Sequence, residues 1–597
     1  MKIKLSNFIS QYLVNKGIND CFMVTGGGAM HLDDAFGHQE GMKVTYNHHE
    51  QACSIAAEGY ARMTNKLPVV CVTSGPGGTN AITGVMGAWL DSIPMLIISG
   101  QVKRETTTWS CKEIGLRQLG DQEFDIINSV SNMTKYSVML TEPSEVLYHL
   151  EKALYLAQEG RKGPVWIDIP LDVQGATIDT EELIRFNSSN INKEEKEFDY
   201  DFILNKIKNA KSPLILAGTG IRLADAEDEL LKLVDILQIP VVTAWNANDV
   251  LSYDNEYYVG MPGTVGTRPG NFAVQNCDVL LSLGCRLNIR MIGYNHFDFA
   301  KNAYKIVVDI DEKELKKPTI KVDYPVNLDV KKFINELTKI EYKPNLDHTN
   351  WLKWCKNLLY KYPAVLDRYH LNQNDKMINP YVFIDRLFNS LNNKDRIICG
   401  NGSACVITFQ AAKIKQGQRI FTNSGCAAMG YGLPAALGVA VSDNSYRTIC
   451  IDGEGSIMMN IQELATISHN KLNIKIFLIN NNGYLSIRQT QTNLFKLPYI
   501  GIDKESGISF PNFQKLAEAF DIDYLCIKNE NESDDLINKV LNYDGPIICE
   551  VFVDWRQNFE PKSSSKVLPD GKIVSPSLDD MSPFLDREEF EKIKYLY

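Results

Sequence analysis

The sequence lacks any long uninterrupted apolar segment. Its longest apolar runs, such as Ile93 to Ile98, fall far short of the roughly 20 residues that a helix needs to cross a bilayer. The N-terminal stretch also lacks the pattern of a secretory signal, because Ser6, Asn7 and Gln11 interrupt its apolar residues. We therefore expect no membrane partner and a cytoplasmic location.

Two further absences concern partners and metals. The net charge is −11, and nucleic-acid binding depends on clustered Lys and Arg, so we expect no nucleic-acid partner. The 13 cysteines include no CxxC pair. Their odd number and irregular spacing predict reduced core thiols rather than disulfides or zinc ligands.

What the sequence does contain is a repeated alternation of apolar strands and amphipathic helices, which is typical of α/β domains. Its 597 residues suffice for three or four domains of roughly 100–200 residues each. Polar stretches near 177–200 and 341–376 separate the segments. We predict an α/β fold with three doubly wound parallel-sheet domains at residues 1–176, 199–345 and 371–555, followed by a C-terminal tail or lid at 556–597.

The strongest chemical signal lies in the third domain, where Gly453-Glu454-Gly455-Ser456 follows an apolar strand and precedes a helical pattern. Asn480-Asn481 begins 26 residues after Glu454, again at the end of an apolar strand. Glycines let the backbone approach a phosphate, and a helix N-terminus favours an anion. A carboxylate and an amide oxygen on neighbouring strand ends can bind Mg²⁺. The spacing therefore predicts a metal–diphosphate site.

A second signal lies in the first domain, where Glu50 begins a helical pattern that continues through Arg62. A glutamate in this position can simply stabilise the helix N-terminus. In combination with a diphosphate motif, a catalytic role for Glu50 is the stronger interpretation.

Together the two motifs resemble those of thiamine-diphosphate enzymes, whose signature begins Gly-Asp-Gly and ends Asn-Asn. The similarity is continuous with the acetolactate synthase branch over Gly17–Val173, most of 213–315, and 378–554. It includes Thr73–Asn80 in the first domain and Met429–Ala436 in the third. The resemblance implies that the domains bind the cofactor pyrimidine, FAD and the cofactor diphosphate, in that order along the chain.

The resemblance also implies an activity. A carboligase of this family decarboxylates pyruvate, a small 2-oxo acid, and transfers the two-carbon unit to a ketone acceptor. A second 2-oxo acid as acceptor gives acetolactate. The active unit would be a homodimer or homotetramer in which Glu50 and Glu454 of one active site come from different subunits.

Specific roles follow from matching positions. Glu50 would hydrogen-bond N1′ of the aminopyrimidine and so promote loss of the proton from the reacting carbon. Glu454, where the family has Asp, would bind Mg²⁺ with the side chain of Asn481 and the backbone oxygen of Gly483. The other implied active-site and thiamine-diphosphate positions are Gly27, Gly28, Gln122, Pro76, Asn80, Gly402, Ser403, Met429, Gly453, Gly455 and Ser456.

Two of these positions have simpler interpretations when read alone. Met429, which the resemblance makes a support for the bent cofactor, is otherwise a core-filling residue. The triplet Gly26–Gly28, which would close over the reacting carbon, is otherwise a plain strand-to-helix turn.

In the middle domain, the resemblance implies an FAD that takes no part in net redox chemistry. Thr264-Val265-Gly266 departs from the family's Met-His-Gly, and Trp245 replaces a smaller residue. We expect bound FAD, and the alternative is a nucleotide fold with an empty site. The implied flavin contacts are Arg161, Gly218, Thr219, Gly220, Thr264, Gly284, Arg286, Arg290 and Asp309.

The implied acceptor pocket also departs from the family. Thr490 replaces a tryptophan and removes a large aromatic wall. The tail after Pro561 resembles that of acetolactate-synthase-like proteins of surface-sugar pathways. A nucleotide-linked keto-sugar is therefore an alternative acceptor. Arg290 matches the residue that meets the acceptor carboxylate, which favours an anionic acceptor.

Three other functions are alternatives to carboligation. A non-oxidative decarboxylase would release an aldehyde without coupling it. A carbon–carbon hydrolase acting on a cyclic dione is disfavoured, because Gly26–Gly28 and Gln122 follow the synthase pattern. A non-catalytic flavin-binding protein would leave Glu50 without a role.

Overall fold

A computed structural model of the chain describes residues 1–188, 196–370, 377–495, 497–567 and 570–595. It contains three six-stranded sheets, and every strand pair within them is parallel. Helices connect and cover the strands, which are apolar and buried because both faces of each sheet are covered. The predicted α/β class with three parallel sheets is confirmed.

The first sheet has the strand order β3-β2-β4-β5-β7-β6. From β2 the chain moves to one side for β3 and to the other for β4 and β5, so the loops after β2 and β4 meet at the point where the order reverses. Strand β1 pairs antiparallel with β8, just inside the stretch read from sequence as a linker, of which 189–195 lie outside the described residues. The elements are β1 (Lys2–Lys4), α1 (Leu5–Asn15), β2 (Asp20–Met23), α2 (Met30–His38), β3 (Lys43–Tyr46), α3 (Glu50–Thr64), β4 (Val69–Val72), α4 (Pro76–Asp91), β5 (Leu96–Gln101), α5 (Ile126–Val130), β6 (Tyr136–Met139), α6 (Val146–Gln158), β7 (Val165–Pro170), α7 (Leu171–Gln174) and β8 (Thr177–Asp179).

The second sheet has the order β11-β10-β9-β12-β13-β14. Its order reverses between β9 and β12, which brings the loops after those two strands together. The elements are α8 (Tyr200–Lys208), β9 (Pro213–Ala217), α9 (Gly220–Leu223), α10 (Glu227–Leu237), β10 (Val241–Thr243), β11 (Tyr258–Gly260), α11 (Arg268–Asn276), β12 (Val279–Leu283), α12 (Ile289–Ile292), β13 (Tyr304–Asp309), α13 (Glu312–Leu315), β14 (Tyr324–Asn327), α14 (Val330–Leu337) and α15 (His348–Lys361).

The third sheet has the order β16-β15-β17-β18-β20-β19, with its reversal between β15 and β17. The loops after β15 and β17 therefore meet, and the loop after β18 lies beside them. The elements are α16 (Pro380–Ser390), β15 (Arg396–Cys399), α17 (Ser403–Ala411), β16 (Arg419–Phe421), α18 (Gly432–Ser442), β17 (Thr448–Gly453), α19 (Glu454–Ile457), α20 (Glu463–His469), β18 (Ile474–Asn480), α21 (Leu485–Leu494), α22 (Phe513–Ala519), β19 (Asp523–Ile527), α23 (Ser533–Leu541) and β20 (Ile547–Phe552).

The C-terminal segment lies across the other units. It contains a short antiparallel pair, β21 (Lys566–Val567) with β22 (Ile573–Val574), and helix α24 (Arg587–Lys592). Its backbone reaches the second unit, where the N–H of Ser563 donates to the carbonyl oxygen of Thr264 at 2.6 Å.

Helices α3 and α18 join the first and third units by close backbone packing. A methyl group at Gly59 would lie 2.5 Å from the carbonyl oxygen of Ala435, so only glycine fits there. Beside this contact, Arg62 pairs with Asp91 at 2.7 Å and with Glu58, and the hydroxyl of Tyr431 donates to Glu58 at 2.6 Å. The first and third units are therefore held together by close packing and by a hydrogen bond from Tyr431 to a buried carboxylate.

We expect Gly59→Ala to destabilise the protein by about 1–3 kcal/mol, because the added methyl meets backbone that cannot move aside. This loss exceeds the roughly 1 kcal/mol that alanine gains over glycine in a helix. Denaturant unfolding of the variant, compared with the exposed control Lys66→Ala, measures the difference. A midpoint equal to that of the control would contradict the packing described.

Candidate functional site

The carboxylate of Glu454 lies at the start of α19, where the chain leaves β17 at the edge of the third sheet. It is 1% exposed, and its Oε1 accepts hydrogen bonds from the backbone N–H groups of Asn481 at 3.1 Å and Gly483 at 2.7 Å. Its other oxygen, Oε2, is buried and has no hydrogen-bond partner among the described residues. Buried oxygens are normally satisfied, so an unpaired carboxylate oxygen indicates a missing ligand.

Asn481 supplies a second such oxygen. Its Nδ2 donates to the hydroxyl of Ser403 at 2.9 Å, which fixes the orientation of the amide. Its Oδ1 is then left buried and, within the described part of the chain, without a partner. One carboxylate oxygen and one amide oxygen on adjacent loops match the donors that Mg²⁺ prefers. The predicted metal ligands Glu454, Asn481 and Gly483 are thus brought together.

Burial raises the pKa of Glu454 to about 7, and it raises the pKa of the neighbouring Asp452 to about 7 as well. A divalent cation would favour the charged form of Glu454. The Asp452 carboxylate lies against Gly400 and Gly432, where any side chain would collide with it. Asp452 therefore packs against the chain at Gly400 and Gly432 and requires glycine at both positions, a role that the sequence did not suggest.

The remaining predicted diphosphate residues surround this pair. Gly402 has a φ of 71°, which favours glycine, and it directly precedes the N-terminus of α17 at Ser403. A methyl group at Gly453 would meet nothing within 4 Å, so this glycine borders open space. The hydroxyl of Ser456 accepts from the N–H of Gly430 at 3.0 Å, which ties the half-buried Met429 to the same cluster. Gly455 packs against the ring of Tyr484.

The predicted pyrimidine residues gather at the edge of the first sheet. Glu50 is the first residue of α3, and its Oε2 accepts a hydrogen bond from Nδ2 of Asn80 at 3.0 Å. Pro76 is the first residue of α4, one turn before Asn80. A methyl group at Gly77 would lie 3.8 Å from Oε1 of Glu50. Glu50, Pro76 and Asn80 are therefore neighbours.

The glycine loop and Gln122 lie on the same edge. Gly28 donates its N–H to the hydroxyl of Thr73 at 3.0 Å, and Gly27 borders open space. Gln122 is exposed with a φ of 60°, and its carbonyl oxygen packs against Gly75. These residues therefore meet the loop that directly precedes Pro76 and helix α4.

Within one chain, α3 also reaches the third unit. Nδ2 of Asn460 donates to Oε1 of Gln51 at 3.1 Å and to the carbonyl oxygen of Gly430 at 2.7 Å. The Glu50 carboxylate itself hydrogen-bonds only to Asn80 among the described residues. A single chain therefore links the two half-sites without placing Glu50 on the metal-binding turn.

A cavity of about 960 Å³ opens at the carboxyl edge of the second sheet, a volume within the range of organic ligand sites. Gly218 and Thr264 lie outside its lining. Gly218 instead packs against the backbone of Gly284, and Thr264 donates its N–H to the carbonyl oxygen of Arg290 at 2.8 Å. The predicted flavin contacts that line it are Arg161, Thr219, Gly220, Gly284, Arg286, Arg290 and Asp309.

The charges in this cavity are already partly paired. Arg161 forms ion pairs with Asp311 at 3.0 Å and with Glu314 at 2.8 Å, and burial raises the pKa of Asp309 to about 6. The guanidinium of Arg290 lies 5.0 Å from the ring centroid of Trp245. The indole N–H of Trp245 is buried without a partner in the described part of the chain. The lining thus offers cations and an unused donor, which fit an anionic cofactor such as FAD.

The two predicted acceptor-pocket residues do not share this cavity. Arg290 lines it, whereas Thr490 is exposed on α21, with its hydroxyl donating to the carbonyl oxygen of Ser486 at 3.1 Å. Gln489, next to Thr490, is buried and accepts from the ammonium of Lys562 at 3.4 Å. The C-terminal tail therefore contributes a cation that contacts Gln489, the residue before the exposed threonine.

Arg488 is a residue that the sequence analysis missed. Its guanidinium is buried and donates to the carbonyl oxygens of Asn481, at 3.1 Å, and of Asn482. It also pairs with Asp503 at 3.2 Å and stacks 5.0 Å from the ring centroid of Trp555. Arg488 thereby fixes the turn that carries the Asn481 oxygen. An arginine within an amphipathic helix gives no sequence signal for this role.

Comparison with known families follows the same division of the chain. The family descriptions that match are the N-terminal TPP binding domain of thiamine pyrophosphate enzymes over residues 3–128, their central domain over 201–337, and their C-terminal TPP binding domain over 400–551. Among the described residues, no helix has the length and apolar character that crossing a membrane requires.

Whole-length relatives agree with these matches. The chain is 32% identical to the acetolactate synthase large subunit of Lactococcus lactis, over 94% of this chain and 95% of that protein. It is 32% identical to the acetolactate synthase large subunit of Porphyra purpurea, over 96% of each chain. It is 30% identical to the chloroplastic acetolactate synthase 2 of Nicotiana tabacum, over 94% of this chain and 83% of that protein.

We expect Arg488→Met to weaken Mg²⁺-dependent binding of thiamine diphosphate by about 10–100-fold, the range seen when groups that orient metal ligands are lost. Titration of cofactor binding against Mg²⁺ measures this change, and Arg488→Lys should restore part of the affinity. The control Asn493→Ala changes an exposed position on the same helix. An Mg²⁺ requirement equal to that of the control would contradict the positioning role.

Proposed function

Because the chain belongs to the acetolactate synthase family of thiamine-diphosphate enzymes, we propose that it decarboxylates pyruvate and transfers the two-carbon unit to a ketone acceptor. The first candidate acceptor is a second 2-oxo acid, which gives acetolactate. The observation that carries the proposal is the pair of buried, unpaired oxygens on Glu454 and Asn481 at the predicted metal–diphosphate site.

The third unit supplies the metal and diphosphate sites in this proposal. Glu454 and Asn481 would hold Mg²⁺ through their free oxygens, with the backbone oxygen of Gly483 as a further ligand. Helix α17 begins at Ser403, which contacts Asn481, so its N-terminus favours an anion beside the metal ligands. When bound, thiamine diphosphate supplies a nucleophilic carbon and an electron sink for decarboxylation.

Glu50 would act from the first unit. Its carboxylate is oriented by Asn80, and Oε1 remains available to hold a proton at N1′ of the aminopyrimidine. Since Glu50 does not touch the metal-binding turn of its own chain, we propose a homodimer or homotetramer in which a second chain completes each site. Gly27 and Gly28 would border the space above the reacting carbon, and Gln122 would face the substrate.

The 960 Å³ cavity would hold FAD. Arg161 and Arg286 would meet its phosphates, Asp309 would accept from a ribose hydroxyl, and the indole N–H of Trp245 would donate to a polar atom of the ligand. Asp309 suits a ribose because a carboxylate can accept hydrogen bonds from two neighbouring hydroxyl groups.

A nucleotide-linked keto-sugar is the second candidate acceptor. The exposure of Thr490, where the family has a tryptophan, leaves room for a larger acceptor. The ammonium of Lys562 beside Gln489 adds a positive charge that an anionic acceptor would meet. Release of free acetaldehyde, the activity of a decarboxylase, is the third possibility.

We expect Glu50→Gln to lower the rate of CO₂ release from pyruvate by about 10²–10⁴-fold, because general acid–base catalysis contributes that much. Mg²⁺-dependent binding of thiamine diphosphate should survive, since Glu50 is no metal ligand. Glu40→Gln, at an exposed position of the same unit, serves as the control. Undiminished CO₂ release in Glu50→Gln would contradict the assignment of Glu50 as the proton-handling partner of the aminopyrimidine.

Incubation with pyruvate and a panel of ketones identifies the acceptor by the mass of the coupled product. We expect acetolactate from pyruvate alone. Thr490→Trp should lower kcat/KM for any bulky acceptor while CO₂ release is retained, because the ring refills the pocket wall. Acetaldehyde as the sole product with every ketone would refute carboligation and favour the decarboxylase.

A further inference from the structure

Two lysines occupy equivalent places in two of the sheets. Lys305 is the second residue of β13, and Lys475 is the second residue of β18. Their side chains are 5% and 1% exposed, and burial lowers the pKa of both, that of Lys475 to about 8. Lysine is almost never this buried unless its ammonium group is fully partnered.

Lys475 meets that requirement. Its ammonium donates to Oδ1 of Asn473 at 2.7 Å and to the carbonyl oxygens of Tyr543 at 2.8 Å and Gly545 at 2.6 Å. An ammonium has three N–H donors, so all of them are used. Lys475 is therefore a structural lysine with no capacity for a ligand.

The ammonium group of Lys305, in contrast, is not fully partnered. Its ammonium donates to the carbonyl oxygen of Ala303 at 3.2 Å, and within the described part of the chain it has no other hydrogen bond and no ion pair. Two of its three donors are unused. Leaving a buried cation in this state is costly, so the site is built for an additional acceptor.

The unused donors of Lys305 border a pocket of about 450 Å³ at the amino ends of β12 and β13. Three more lysines line it, namely Lys206, Lys301 and Lys321. Lys206 lies over the ring of Tyr304, 4.4 Å from its centroid. In a chain with a net charge of −11, this is a local concentration of positive charge.

The two acidic residues of the lining have partners other than the Lys305 ammonium. The Asp278 carboxylate accepts the backbone N–H groups of Lys211 at 2.8 Å and Ser212 at 2.9 Å. The Asp323 carboxylate pairs with Lys321 at 2.8 Å and accepts the backbone N–H of Lys305 at 3.0 Å. Neither forms an ion pair with the Lys305 ammonium. Lys301 pairs with Asp298 at 2.7 Å, so the four lysines face three carboxylates and an excess of one positive charge remains.

We propose that this pocket binds the phosphate group of a small organic metabolite, with Lys305 as its buried anchor and Lys206, Lys301 and Lys321 around it. The lining has lysines and no arginine. A lysine ammonium binds a phosphate as a compact point charge, and several of them around one pocket can share the charge of that group. The volume exceeds that of one phosphate and leaves room for an organic part.

The site is separate from the catalytic machinery. It lies at the amino edge of the second sheet, whereas Asp309 and the larger cavity lie at the carboxyl edge. The four residue steps from Lys305 to Asp309 along β13 span about 13 Å. Binding of phosphate here can therefore be measured with the cofactor sites filled, and its outcome does not depend on the proposed reaction.

Calorimetric titration of the protein, saturated with Mg²⁺, thiamine diphosphate and FAD, tests the proposal with inorganic phosphate and glycerol 3-phosphate as probes. We expect one saturable site per chain with a Kd of about 1 mM or tighter for at least one probe. Lys305→Met should weaken binding at least tenfold. Lys343→Ala, at an exposed position outside the pocket, should bind as the unmodified protein does.

Two measurements keep the result interpretable if Lys305→Met perturbs the fold. Lys321 is 85% exposed, so Lys321→Ala should keep the midpoint of thermal unfolding of the unmodified protein. It should still weaken the binding of the phosphate probe several-fold. The midpoint of thermal unfolding without phosphate should be unchanged or raised in Lys305→Met, because an underpartnered charge is removed. Absence of saturable binding, or equal binding by Lys305→Met and Lys343→Ala, would overturn the proposal.

Discussion

The catalytic architecture depends on the way in which two backbone N–H groups hold the carboxylate of Glu454. Asn481 and Gly483 donate to Oε1, so the other oxygen is oriented but unpaired. The parallel pairing of β17 with β18 sets this geometry, because Gly453 lies opposite Ile479 and the two strands end together. Glutamate is one methylene longer than the aspartate of the family signature, and here its Oε1 is held by two backbone N–H donors.

A common topological feature places all three sites. In each sheet the strand order reverses between two inner strands, and the loops after those strands carry predicted ligand residues such as Gly27, Gly284 and Glu454. The glycines serve this arrangement through close backbone approach. Gly218 packs against Gly284 in the second unit, and Gly400 packs against Asp452 in the third. The three sites thus lie at strand ends whose loops are held by close packing.

Much of this arrangement could be predicted from the sequence because it depends on local patterns. The segments Pro213–Ala217 and Arg396–Cys399 are strands, and both are short, mostly apolar segments of the kind that predicts a buried parallel strand. The spacing of Glu454 and Asn481 likewise predicted that they would meet. The fold class and the family were predicted correctly, while the assigned roles of individual residues stay predictions.

Other features could not be predicted because they depend on contacts between distant parts of the chain. The bond from Arg488 to the Asn481 carbonyl, the stacking of Arg290 on Trp245, and the unused donors of Lys305 leave no pattern in neighbouring residues. Lys305 and Lys475 both lie within apolar strand sequences. Only the tertiary structure reveals that the ammonium of Lys475 has all its hydrogen bonds and that the ammonium of Lys305 does not.

The most direct test of the account is the binding of Mn²⁺, a spectroscopic substitute for Mg²⁺, in the presence of thiamine diphosphate. Glu454→Gln keeps an Oε1 acceptor for the two N–H groups but removes the negative charge. The account predicts one tightly bound Mn²⁺ per chain in the unmodified protein. In Glu454→Gln it predicts a loss of Mn²⁺ affinity of at least roughly 10–100-fold, the loss that follows when groups that orient metal ligands are changed. Equal Mn²⁺ affinity in the two proteins would contradict the claim that the free Glu454 oxygen binds the metal.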